Sequence, residues 1–87
     1  MYIIVAYDVG IERITRLRVF LKQYLNWVQN SVFEGEVTES EIMRIESGIK
    51  EIIDPSVDFV LIYRLSSEKY LVRTQIGTPK SDISTII

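Results

Sequence analysis

Cysteine and histidine are both missing from the 87 residues. Without cysteine there is no disulfide, no thiol nucleophile and no thiolate zinc site, and a reducing compartment is favoured. Without histidine there is no Ser-His-Asp relay, no HExxH metal site and no imidazole base. Any catalysis must rest on carboxylates, hydroxyls, arginine or lysine, or a bound ion. Long apolar runs are missing too: none approaches the ~18 residues that span a bilayer. Tyr2 to Tyr7 is too short for the hydrophobic region of a secretory leader and lacks a basic stretch before it. The expected location is the cytoplasm, with no membrane partner. The four glycines are scattered, which argues against a glycine-lined loop of the kind small-molecule sensor domains use.

What is present is apolar. Hydrophobic residues make up 47% of the chain, a high share for one domain (residues 1–87) that can bury only a modest part of its surface. Surplus apolar surface on a small domain is commonly covered by a second copy, so a homodimer is expected. The net charge of −2 and the pI near 5.0 argue against a simple nucleic-acid binder, but the charge is unevenly spread. Between Val9 and Leu25, Arg13, Arg16, Arg18 and Lys22 face only Glu12. Between Glu34 and Asp58, eight acids face only Arg44 and Lys50. The molecule should have a basic end and an acidic face.

Tyr2-Ile-Ile-Val-Ala-Tyr7, closing at Asp8, reads as a central strand covered on both faces. Ile14, Leu17, Leu21, Tyr24 and Leu25 lie on one face of a helix over 11–25. Trp27 to Val37 reads as a tight hairpin or as one bent, bulged strand. Thr38-Glu-Ser-Glu41 is a capping box opening a helix striped by Ile42, Ile45, Ile49, Ile52 and Ile53, with Glu46 and Lys50 paired outside. Asp54-Pro55 stops it. Asp58 to Leu65 is a second apolar strand, Ser66 to Glu68 a turn, and Lys69 to Ile76 an alternating strand. Residues 78–87 form a C-terminal tail, apolar from Asp82 to Ile87, expected to pack on its own sheet or on a partner. The order fits an α+β, ferredoxin-like split βαβ sandwich with both helices on one face. Its additional C-terminal strand either extends the sheet or crosses to a second subunit.

Most of the acids sit on the second helix or in turns, where solvation explains them. Asp8 differs, because it ends a buried strand beside the start of a basic helix. One reading is local: Asp8 caps the helix or steadies the turn before Gly10. The other is a hard-cation site. One carboxylate is a poor magnesium site, since Mg²⁺ takes octahedral oxygen ligands and keeps several waters. A twofold axis brings a second copy of Asp8, and the shared ion would activate a water and neutralise a phosphate. Arg13 and Arg16 would add charge for a nucleic-acid backbone. Trp27 and Phe33 fit core packing or base stacking, and Ser31 fits a turn or a phosphate donor.

Three features taken together resemble a known family. They are the strand ending Tyr7-Asp8, the basic first helix, and the block Trp27-Val-Gln-Asn-Ser-Val-Phe-Glu-Gly-Glu36 before a capped helix and a strand pair. Over residues 1–80 the chain is similar to the small CRISPR-associated endonucleases, the lesser of the two core proteins of spacer acquisition. The resemblance implies a ferredoxin-like homodimer whose late strand packs on the partner subunit. It implies Mg²⁺-dependent cleavage of single-stranded RNA or double-stranded DNA, with Asp8 as catalytic metal ligand. Arg13, Arg16 and Arg18 then belong to a nucleic-acid-binding helix, and Ser31 and Phe33 to a Ser-x-Phe element near the site. The alternative role it implies is non-catalytic: a scaffold that bridges two dimers of the CRISPR integrase and holds incoming DNA.

Overall fold

The structure is a computed structural model that describes residues 1–66 and 71–79. The elements run β1 (Tyr2–Asp8), α1 (Ile11–Leu21), β2 (Asn26–Gln29), β3 (Val32–Glu36), α2 (Glu39–Ile52), β4 (Phe59–Leu65) and β5 (Leu71–Gly77). They form one antiparallel sheet in the order β2-β3-β1-β4-β5. This is the expected ferredoxin-like split βαβ arrangement with one strand added beside β4.

Alternation along the strands sets the two faces. Ile3, Val5 and Tyr7 of β1, Phe33 of β3, Val60 and Ile62 of β4 and Ile76 of β5 form one core with Leu17 and Leu21 of α1 and Ile42, Ile45, Ile49 and Ile52 of α2. On the far face Ala6, Phe59 and Leu61 are also buried. The centre of the sheet is thus covered on both sides, as the unbroken apolar runs of β1 and β4 required.

Several boundaries sharpen. α1 ends at Leu21, not Leu25. Hydrogen-bonded turns carry the chain on, with the Leu25 N–H on the Leu21 carbonyl at 2.8 Å, so Leu25 is buried without being helical. Residues 27–37 are a hairpin with a bulge in β2: Gln29 pairs with Val32 across the two-residue turn Asn30-Ser31, and Asn30 takes a positive φ of 37°. Asparagine tolerates that region better than most residues. The capping box of α2 is present, the Glu41 N–H donating to the Thr38 hydroxyl at 3.2 Å and the Thr38 N–H to the Glu41 carboxylate at 2.9 Å. Glu46 turns towards the sheet and accepts from Arg64 of β4 at 2.8 Å. β5 extends the sheet of its own chain over the register Phe59↔Gly77 to Leu65↔Leu71, which decides between extension and crossing for residues 71–77. The turn expected beyond Ser66, the strand start expected at 69–70 and the tail from 80 lie outside the described residues.

Candidate metal site at the end of the first strand

Asp8 closes β1 at one end of the sheet. Its main chain is in register with Phe59, the first residue of β4, and Phe59 is in register with Gly77, the last of β5. On the other side the Asn30-Ser31 turn comes alongside, with the Tyr7 N–H donating to the Ser31 carbonyl at 3.1 Å. Asp8 is half-buried on the far face, away from the helices. Ser31 is therefore brought to the same end of the sheet as Asp8.

The acid that fastens the adjoining turn is Asp58, expected only as the start of a strand and found immediately before β4. It is fully buried and its carboxylate accepts four hydrogen bonds. These come from the Gly10 N–H at 2.8 Å, Arg13 Nε at 2.5 Å, Arg13 Nη2 at 3.0 Å and the Asp54 N–H at 2.9 Å. The Arg13 fork, followed by the two backbone donors, holds the Asp58 carboxyl well below the usual carboxylate range despite its burial. The same contact keeps Arg13 firmly protonated. One signal could have found Asp58. Like Asp8, it abuts an unbroken apolar run, and an acid flush against such a run lies within the core and needs a partner.

The three helix arginines divide. Arg13 spends two of its donors on Asp58. Arg18 reaches the hairpin: its Nε donates to the Tyr7 hydroxyl at 3.0 Å, its Nη2 to the Asn30 carbonyl at 3.3 Å, and its guanidinium lies 4.9 Å from the Trp27 ring centroid. Arg16 is exposed and lines a groove between α1 and α2 with Phe20, Gly48 and Glu51. Phe33 is wholly buried and packs in the core. Trp27 is half-exposed, stacked on Phe33 at 6.4 Å and crossed by Arg18 and by Lys22 at 5.1 Å. Its Nε1 donates to the Asn30 carbonyl at 2.9 Å. The Tyr7 hydroxyl donates to the same carbonyl at 3.4 Å, so Arg18, Tyr7 and Trp27 converge on it and hold the turn that carries Ser31.

Among the described residues no group of three or more His, Cys, Asp or Glu side chains is placed to hold a metal ion. Asp8 is the right kind of donor for a hard cation, an oxygen anion, but one chain supplies a single such ligand. The donor set fits magnesium in kind, and in number only when a second copy and water complete it. A cavity of about 700 Å³ opens at the other end of the sheet, among Met1, Glu36, Thr38 and Leu65, remote from this chemistry.

The fold and the strand-end carboxylate define a ferredoxin-like α+β domain of the compact, single-sheet kind. A family model described as "CRISPR associated protein Cas2" matches residues 1–73. Among curated relatives, the "CRISPR-associated endoribonuclease Cas2" of Methanosarcina acetivorans is 51% identical, with all of both chains covered. Proteins of the same name from Pyrococcus furiosus and Thermococcus kodakarensis are 53% and 54% identical, again over the whole of both chains. A solved structure titled as a crystal structure of Cas2 superposes with a TM-score of 0.74 at 41% identity, covering 100% of this chain and 98% of that one. Streptococcus pyogenes Cas2 gives a TM-score of 0.70 at 35% identity over 76% of this chain and 87% of its own. The chain belongs to the CRISPR-associated Cas2 family. No helix among the described residues is long and apolar enough to cross a membrane.

Proposed function

We propose that this protein is a magnesium-dependent endoribonuclease of the CRISPR system, working in the cytoplasm as a homodimer in which two copies of Asp8 share one ion. The carrying observation is the placement of Asp8: a half-buried carboxylate at the end of the central strand, on the face away from the helices, its backbone fixed on β4. The name shared by relatives of about half identity over the full length supports the reaction class. The ion would supply a polarised water and charge neutralisation at the scissile phosphate. The protein's own part is to hold Asp8 in place and to offer Arg16 and the free edge of Arg18 to the nucleic-acid backbone. Single-stranded RNA is the first substrate to try. Asp8→Ala should reduce Mg²⁺-dependent cleavage to background while the dimer persists on size-exclusion chromatography. An Asp8→Ala preparation that cuts as fast as the parent would sink the assignment.

A second role is favoured by a separate feature. Leu65 and Leu71 face each other across β4 and β5, exposed on the far face beside Tyr2, an apolar patch of the sort a partner covers. In the scaffold role this end of the sheet and the tail 78–87 would meet the CRISPR integrase during spacer acquisition. Deleting residues 78–87, or changing Leu71→Asp, should then abolish co-elution with the integrase and leave RNA cleavage intact. Unchanged co-elution of both variants would count against it.

A further inference from the structure

Asp8 is held from one side by two consecutive residues. Its main chain pairs with Phe59, while the side chain of Asp58, one residue earlier, takes the Gly10 N–H at 2.8 Å. The chain is therefore gripped on both sides of Val9. Arg13 closes the loop one helical turn on. Its Nε and Nη2 bind both oxygens of Asp58, at 2.5 and 3.0 Å, and its own N–H donates to the Gly10 carbonyl at 2.9 Å. The end of β5 latches onto the same residue, the Thr78 N–H donating to the Asp58 carbonyl at 2.9 Å. Gly77, at φ +95°, permits that approach, since a Cβ there would lie 2.1 Å from the carbonyl oxygen. The carboxylate has no exposed surface and no room to re-pair without moving the turn.

A ligand that must meet an ion at about 2.1 Å tolerates little displacement of its backbone. We infer that Asp58 and Arg13 are positioning residues for Asp8: together they set the β1–α1 turn so that the Asp8 carboxylate is presented in one orientation to the shared ion. This rests on the reading of Asp8 as the metal ligand and gives Arg13 a task different from phosphate contact.

The test is Mn²⁺ binding to the purified dimer, followed by the electron paramagnetic resonance of the free ion well below each melting temperature. The chains compared are the parent, Asp58→Asn, Arg13→Lys and Asp8→Ala. Arg13→Lys keeps the charge and loses the fork. Both folded clamp variants should bind Mn²⁺ about tenfold more weakly, the lower end of what loss of a supporting group costs a metal site. Combining them should weaken binding no further. Thr38→Ala, which lowers stability from the far end of α2, should leave Mn²⁺ affinity at the parental value. Parental affinity in folded Asp58→Asn and Arg13→Lys would overturn the inference, as would an equal loss in Thr38→Ala. If Asp58→Asn fails to fold, Arg13→Lys decides alone. Parental Mn²⁺ affinity in Asp8→Ala would instead remove the metal-ligand reading itself, and the inference with it.

Discussion

Asp8 closes β1 and Asp58 immediately precedes β4, and the two aspartates have different surroundings. Asp58 has spent its acceptor capacity on an arginine fork and two backbone N–H groups. Asp8 lies half-buried on the far face, where a partner copy and an ion could reach it. Asp58 accordingly has a thermodynamic signature. In the unfolded chain it titrates near the ordinary value of about 3.9, and in the fold its carboxyl is held well below that. As pH falls the unfolded state takes up the proton first. The stabilisation is therefore complete above about pH 5 and drains away as the pH drops through 4 towards the folded value. Urea midpoints at pH 7, 5 and 3 should show the parent losing stability over the acid step, and Asp58→Asn should show a much shallower loss. At pH 7 that variant should be less stable by about 2 kcal/mol, because hydrogen bonds to a charged carboxylate are replaced by weaker ones to a neutral amide. Equal acid slopes in the two proteins would mean that other carboxylates govern acid unfolding.

Among the elements, the helices meet through an unusually close contact. Gly48 lies within α2, where glycine costs about 1 kcal/mol relative to alanine. It is tolerated because the Phe20 ring of α1 occupies the space, so that a Cβ on Gly48 would fall 2.0 Å from its Cζ. Gly48→Ala should therefore destabilise the fold by about 1–3 kcal/mol in spite of better helix propensity. A melting temperature at or above the parent's would show that the ring moves aside freely. Thr38→Ala should cost about 1 kcal/mol through the lost cap, read in the same melts. Periodicity and caps made α2, β1 and β4 legible, because their signals are local and repeat within the element. The end of α1 was not, since Tyr24 and Leu25 continue the apolar stripe through turns that are no longer helical. The hairpin stayed ambiguous because its turn is only Asn30-Ser31, and one positive φ has no signature stronger than an asparagine. Asp8 stood out by position. For Asp58 the apolar run beside it signals that a partner is needed, but not which one, because Arg13 lies 45 residues away and only the closed sheet brings the two together.

At the scale of the whole molecule, the single chain stops short of a complete metal centre. Each copy brings one aspartate of the required kind, and no cluster of three metal-binding side chains occurs among its described residues. An octahedral cation held by one protein carboxylate would be bound no better than by many surface acids. In the proposed homodimer a twofold axis would present the same residue twice and so supply the second carboxylate. In the proposed shared centre, metal binding and dimerisation would be linked: an ion that binds the dimer and not the monomer draws the equilibrium towards the dimer by mass action. Sedimentation equilibrium of the parent should show tighter association when Mn²⁺ is added, and Asp8→Ala should show none of this gain. Titration calorimetry should find about one ion for every two chains. One ion per chain, with an affinity that does not change on dilution, would mean that each Asp8 binds alone, and the shared centre would have to be given up while the fold and family stood.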